Sequence, residues 1–592
     1  MRKLWSISTT VRNPYRIKDF LRVLKELEGT VWNKESQCQF QILLIQRRFY
    51  TPTLKGLGDK LAGLLIDPEA EITFKKAKEI FECKNYRDPD MRGRNSYKPL
   101  EKFGGAYIVD NKVKITEFGN MLLDGKIDVE DFWLRSLLHF QYPNPLSSDF
   151  TAADGYDTKP FVTTLHLINR VNQLCKRHGY KTKGISKEEF AIFGLSLIDW
   201  KSIDQTAADL LSYRIKHESL KSYEEKKNFR IDYSKSRLKN FTNYTEKNLR
   251  DYSDNAIRYF RITKYIYIRG GGYYIDLEPR RHYEIHRIFE TEDGSSDHST
   301  GKDAYLEMAL KAETYKLPWE NLNELNKIAQ GIVGDIQQMQ RQLRDPAVTF
   351  LPFSSLAQAR QRIPELRQLR SDLQARLLKQ KYADIAKARE IVIKLKNIQS
   401  LHEKPSIALE RYVHVALNII NDALQIKSNA PLGDDNVPIF TAPANMPDIE
   451  CCYAKFRSIC EVTTLRDRTQ WFNEGQPVMR HLRDYEDKYS KDVCYCLFVS
   501  PRTHRDTVNT FWTAVRHEYE GRRQRIIPLT IIQLSEILEV VICLKERGKP
   551  FTHEMLQCLF DTLLDIENYK SSIEWSEGLA EKFQKWKSFI LS

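Results

Sequence analysis

Apolar residues recur at two different periods along the 592-residue chain, and the switches between them mark out its parts. Ile17, Phe20, Leu21, Leu24 and Leu27 fall at helical spacing, with Gly29 punctuating the end of the run. From 106 to 110 and from 113 to 116 apolar and polar residues alternate, as in two strands meeting around Asn111-Lys112. Helical spacing resumes from Glu117 through Leu122 and around Phe132, Leu134 and Leu138, until Tyr142-Pro143-Asn144-Pro145 stops it. A second pair of strands, 262–269 and 273–277, flanks Gly270-Gly271-Gly272, where three glycines permit a tight reversal. Residues 291–302 are polar and rich in Gly and Ser, which marks a linker. Residues 303–400 read as helical, with Leu366, Leu369, Leu373 and Leu377 at 3-4-4 spacing. A helix at 406–424 is apolar nearly all round. Strand-like runs follow at 448–453, 456–462, 493–499 and 526–529, with one helix opening near Pro477 and another at 508–518. The pattern predicts a multidomain α+β chain. Residues 1–300 carry two winged-helix-like modules, 301–400 form a helical linker, and 401–592 form an α/β domain.

Charge sharpens this picture. The net charge of +13 and a pI near 9.0 favour an anionic partner. Residues 211–270 hold 15 Lys and Arg against 7 Asp and Glu, so this segment alone carries +8. Tyr223, Phe229, Tyr233, Phe241, Tyr244, Tyr252, Tyr259 and Phe260 interleave with those charges. Arg92, Arg94, Lys98, Lys112 and Lys114 lie before and on the first hairpin; Arg258, Arg261, Lys264 and Arg269 lie at the second. These nine are the candidates for contacts to nucleic-acid phosphates or grooves, and the same residues would also suit solvated helix faces and structural hairpins. No Lys-Ser or Lys-Thr follows the triple glycine, which excludes a nucleotide P-loop. The ten cysteines form no Cys-x-x-Cys pair, which speaks against zinc and for buried thiols in a reducing compartment. There is no apolar signal core at the N-terminus and no run of about 18 apolar residues, so a cytoplasmic protein without a membrane partner is expected.

The richest stretch is 447–481, PDIECCYAKFRSICEVTTLRDRTQWFNEGQPVMRH. Its two apolar runs predict a β-hairpin turning at Ala454-Lys455, which places Asp448 opposite Glu461. Opposed residues on one sheet face have Cβ atoms roughly 5 Å apart, and two like charges so placed repel unless a cation lies between them. A divalent metal suits such hard oxygen ligands; the alternative is a pair of ordinary strand-end surface charges. Glu410 falls among apolar neighbours of the 406–424 helix, where a carboxylate is costly unless it serves a cation; an exposed first-turn glutamate is the other option. Glu474 and His481 fall on the next helix, whose buried face is Val478, Leu482, Tyr485 and Tyr489.

Pro447-Asp448 followed by Glu461-Val462-Thr463 resembles the Pro-Asp…Glu-x-Lys signature of restriction-type nucleases. The longer run through Glu474, Pro477-Val478 and Arg480-His481 is similar to the AlwI family of type IIS restriction endonucleases, including its nicking members. Residues 8–14, then Phe20-Leu21-Arg22 and Glu28-Gly29, resemble that family's N-terminus. The resemblance implies a PD-(D/E)xK-type nuclease domain at 401–592 that hydrolyses double-stranded DNA outside an asymmetric site. It implies Mg²⁺ held by Asp448, Glu461 and the Val462 carbonyl, with Glu410, Glu474 and His481 completing the site. Thr463 stands where related nucleases keep a lysine, and Lys455 on the hairpin turn is a poor substitute. Double-strand cleavage would require a second nuclease subunit or a transient homodimer, and a cognate methyltransferase would protect the cell. The rival readings are a non-catalytic DNA-binding regulator and a structure-specific DNA nuclease.

Overall fold

The computed structural model describes the chain apart from residues 1, 8–10, 12, 68, 147–148, 271–272, 298–300, 302–303, 306–307, 309, 383, 401–404, 421 and 430–445. Gly271-Gly272 of the second hairpin, part of the expected 291–302 linker and part of the 8–14 motif therefore lie outside the described residues. The chain divides into two compact units. One comprises residues 1–268, 274–328 and 353–359; the other comprises 269–273, 329–352 and 360–592.

The first unit contains one arrangement twice. In the first instance the helix Ile17–Lys25 leads to Val31, which bridges antiparallel to Lys112. The helices Lys34–Gln46 and Asp90–Lys102 follow, then the hairpin β1 (Ala106–Val109) and β2 (Lys112–Ile115). In the second instance the helix Pro160–Arg177 leads to β3 (Ile185–Ser186). Further helices end in Glu246–Ile262, and the hairpin β4 (Ile266–Arg269) and β5 (Tyr274–Leu277) closes the set. β3 pairs antiparallel with β5, in the sheet order β3-β5-β4. In both instances the short leading strand joins the second strand of the hairpin.

Local chemistry explains where these elements start and stop. Asp110 and Asn111 have φ of +50° and +58°, giving the two-residue reversal whose twist matches antiparallel strands. The β1–β2 turn thus lies one residue earlier than the expected Asn111-Lys112. The Glu246–Ile262 helix runs through the first residues expected as strand: Thr245 caps its start, and Lys264, at φ +63°, turns the chain out before β4.

Aromatic packing forms much of this unit's core. Trp133 is fully buried between Phe103 and Tyr259, with centroids 4.7 and 4.6 Å away. Arg214 forms a buried two-pronged pair with Glu189, both bonds being 2.7 Å. Residues beyond 300 also contribute. Tyr315 is buried and stacked on Phe118 at 4.1 Å, Trp319 stacks on Tyr265 at 5.8 Å, and Arg135 bonds both Glu320 and the Tyr315 carbonyl. The expected boundary at 300 therefore falls inside this unit.

Residues 303–400, expected to be helical, contain the helices Leu322–Leu343, Leu356–Tyr382 and Ile385–Lys396. Residues 344–355, with Arg344 at φ +59° and prolines at 346 and 352, interrupt them.

The second unit is built on a five-stranded sheet in the order β10-β9-β8-β7-β6. Its strands are β6 (Gln425–Ser428), β7 (Ile449–Cys452), β8 (Arg457–Val462), β9 (Cys494–Ser500) and β10 (Ile526–Thr530). β6, β7 and β8 pair antiparallel, whereas β8, β9 and β10 are parallel. The parallel pairs need crossovers, and the helices Arg468–Lys488 and Arg505–Arg516 supply them. Every residue of β9 is buried, as a central strand covered on both faces must be, which is why its sequence is a continuous apolar run rather than an alternation.

Candidate active site

The β7–β8 pairing fixes the site. Ile449 pairs with Cys460 and Glu450 with Ile459, which is the register expected from a turn at Ala454-Lys455. One step further along, Asp448 faces Glu461. The Val462 N–H donates to Asp448 Oδ2 at 2.7 Å, tying the carboxylate to the opposite strand. Asn429, just past β6, holds the Pro447-Asp448 turn from the other side. Its backbone N–H donates to the Asp448 carbonyl at 2.9 Å, and its side chain donates to the Pro447 carbonyl and to Glu450 Oε1, both at 2.9 Å.

Glu461 is 5% exposed and Glu410 only 2% exposed, so neither is a surface charge. Glu410 projects from the buried side of the helix Pro405–Ile420. Glu474 and His481 stand two turns apart on the helix Arg468–Lys488, on the stripe that buries Val478, Leu482 and Tyr485. That helix does not open near Pro477 as expected. Asp467 caps its start, with Oδ1 accepting from the Thr469 N–H at 2.9 Å, and Pro477 lies in the helix interior. Glu474 thereby becomes a mid-helix residue aimed inward rather than a first-turn residue.

Electrostatics join these groups into one cluster. Burial, and then the neighbouring charges of Glu461 and Glu474, push the Asp448 carboxyl well above its ordinary range, against the lowering effect of the Val462 N–H. Burial raises Glu461 in the same way, reinforced by Glu474 and Glu410. Burial also raises Glu474, opposed by the nearby Thr463 side chain and by His481. Thr463, 7% exposed, stands at the position of the missing lysine and brings a hydroxyl rather than a positive charge. Lys455 does not fill the gap: its Nζ is 3.0 Å from Glu554. His481 Nδ1 lies 2.8 Å from Glu461 Oε1, while its Nε2 is buried with no hydrogen-bond partner among the described residues. Burial lowers the imidazole's affinity for a second proton.

Closely spaced buried carboxylates that resist ionisation together, beside an unpartnered imidazole nitrogen, are a donor set that suits a hard divalent cation. The cluster is open: the described group of three acidic or His side chains whose ligand atoms all lie within 4.8 Å of one another is Asp422, His553 and Glu554. There Glu554 already has Lys455 as its counter-charge, and Asp422 bonds the His553 ring at 2.7 Å.

Gln470 was not visible as a functional position from the sequence. It is fully buried; its Nε2 donates to the Leu465 and Arg502 carbonyls at 2.7 and 3.0 Å, and its Oε1 accepts from the His504 N–H at 2.7 Å. It pins together the loops that leave β8 and β9, both at the carboxyl ends of parallel strands, where α/β sheets place their ligands.

The nine basic candidates are differently placed. Arg94 pairs with Asp88 and Asp90, Lys98 with Glu101, and Arg258 with Asp254. The Arg92 guanidinium lies over the Tyr86 ring at 4.5 Å. Lys112, Lys114 and Lys264 are exposed, and Arg261 and Arg269 are half-buried.

Among solved structures, the small subunit (R.BspD6I2) of the heterodimeric restriction endonuclease R.BspD6I matches 34% of this chain and 97% of its own, at 20% identity and a TM-score of 0.27. The BpuJ1 endonuclease binding domain, in complex with pyrene- and phenanthrene-modified DNA, matches 50% of this chain and 89% of its own, at 13% identity and a TM-score of 0.31. No curated protein matches. The model of the AlwI restriction endonuclease family matches residues 102–537, a span that holds the first hairpin, the second helix–hairpin set and the whole carboxylate cluster. The chain belongs to the AlwI restriction endonuclease family.

Proposed function

We propose that this protein is a Mg²⁺-dependent endonuclease of type IIS or strand-specific nicking type, hydrolysing duplex DNA a short distance outside an asymmetric recognition site. The observation that carries the reading is the facing pair of half-buried Asp448 and buried Glu461, with buried Glu410 and half-buried Glu474 beside them at the end of β7 and β8. On this reading the pair would form a PD-(D/E)xK-type site with Thr463 in the lysine's place. Asp448 and Glu461, with the Val462 carbonyl, would hold the ion, which when bound polarises a phosphate and lowers the pKa of water. The chain's own groups do the rest. Val462 orients Asp448 through its N–H. Glu461 fixes the His481 ring through Nδ1, leaving Nε2 as the acceptor for a proton.

We read the repeated helix–strand–helix–hairpin arrangement as two winged-helix-like modules, and on that reading residues 1–300 would recognise DNA. The helical 301–400 would connect them to the nuclease domain at 401–592. A single cluster of this kind cuts one strand, so cutting both requires a second nuclease subunit or a transient homodimer, and a methyltransferase would protect the host's own sites.

Incubation with supercoiled plasmid and Mg²⁺ tests the reading. Discrete nicks or bands at fixed positions are expected. An intact plasmid would make the chain a DNA-binding regulator, and scattered cuts would make it a structure-specific nuclease.

A further inference from the structure

We infer that the loops leaving β8 and β9 form a second, sequence-independent DNA-holding surface on the nuclease unit, a rim that grips the backbone next to the scissile phosphate. The inference rests on the nuclease reading of the carboxylate cluster. Arg466 lies on the first loop and Arg468 opens the helix after it; Arg502 lies on the second loop and Arg505 opens the helix after that; all four arginines are exposed. Gln470 clamps the two loops together through both backbones, so the four guanidinium groups are carried on one braced platform rather than on independent loops. The acids within this rim are Asp467, committed to capping the helix through Thr469, and Asp506, which lies 3.7 Å from Arg505 and 3.8 Å from His504. Positive charge thus remains in excess.

Two aromatic residues rise from the same platform. The Trp471 Nε1–H donates to Thr510 Oγ1 at 3.0 Å, which fixes that ring against the next helix. Phe472 is 79% exposed. A large apolar ring presented to solvent among four arginines matches the recognition of nucleic-acid backbone plus base or sugar faces. The platform shares its elements with the chemistry: Thr463 begins the first loop, and Glu474 lies on the helix that this loop leads into, roughly 200° round from Phe472. The occupant is duplex DNA at the cut position. The arginines would neutralise phosphates on either side of the cut, while Phe472 packs into the groove.

The test uses the full chain and a duplex spanning one mapped cut position, with Ca²⁺ replacing Mg²⁺ during binding. R466A/R468A/R502A/R505A and F472A alter exposed side chains, so each is expected to keep the wild-type melting temperature. The quadruple variant should lose hydroxyl-radical protection at the cut position while keeping it elsewhere on the duplex. The slope of log affinity against log salt should flatten by about 3, near one unit for each phosphate that is no longer neutralised. F472A should keep that slope yet cut at least tenfold more slowly under Mg²⁺. A wild-type chain that cuts, paired with variants whose protection, slope and cutting rate are unchanged, overturns the rim alone. A wild-type chain that cuts no DNA overturns the rim together with the nuclease reading.

Discussion

At the scale of single residues the carboxylate pair is the point of greatest tension. Asp448 and Glu461 each bind a proton more tightly in the folded chain than unfolded, because burial and then nearby carboxylates, Glu461 and Glu474 for Asp448 and Glu474 and Glu410 for Glu461, penalise their charged forms. Across a window opening near pH 4, where free carboxyls ionise, the folded state therefore carries more bound protons than the unfolded state. Stability of the metal-free protein should fall as pH rises through that window. Asp448→Asn or Glu461→Gln should flatten this decline and raise the melting temperature in EDTA at neutral pH. Each pKa unit of strain relieved is worth about 1.4 kcal/mol, or roughly 3–6 °C in a domain of this size. Cleavage by either variant should drop by at least about a thousandfold, as expected when bound-water activation and phosphate polarisation are lost together. Calorimetry across pH in EDTA and a plasmid assay check the two halves independently. A decline in wild-type stability that survives in both variants would place the strain elsewhere.

At the scale of elements the hairpins divide the basic residues into two groups. Lys112 and Lys114 stand exposed on β2, whereas Arg94 and Arg258 are already paired with aspartates on their own helices or beside them. Lys112→Ala with Lys114→Ala should weaken DNA binding about equally on all sequences and flatten the salt slope by about 2; Arg94→Ala should change it by less than half as much. Gel shifts over a salt series read both. A different element depends on Arg214, whose guanidinium bonds Glu189 twice and the Gly184 carbonyl once in a buried site. Arg214→Met strands the Glu189 charge and should destabilise the first unit by about 3–5 kcal/mol, measured by denaturant unfolding.

Elements of this kind were unevenly legible in the sequence. The β7–β8 register could be read in advance because the polar break at Ala454-Lys455 centres the hairpin and so fixes which residues face each other. The start of the Arg468–Lys488 helix could not. Pro477 is a common first-turn residue, and it outweighed the less conspicuous cap at Asp467. Gln470 was invisible for another reason: its partners are backbone groups 5, 32 and 34 residues away, which no side-chain pattern encodes.

At the scale of the whole molecule the boundary of the first unit has a practical consequence. Tyr315, Trp319 and Glu320 pack into that unit, so a fragment ending at residue 300 would expose the partners they cover, Phe118, Tyr265 and Arg135. A fragment of residues 1–359 should melt cooperatively and bind DNA, and one of residues 1–300 should melt several degrees lower or aggregate; light scattering with thermal melting distinguishes them. Equal behaviour would remove 301–328 from the unit's core. The recurrence of one arrangement at 17–115 and 160–277 carries a further meaning. Proteins that read DNA as two-fold dimers present the same surface twice, and the sites they favour are palindromes. Here the two copies share a path but not a sequence, and both lie on one polypeptide. On the proposed reading such a chain would be released from the mirror-word constraint: it would tell one direction along the double helix from the other, and so would have a fixed side on which to cut.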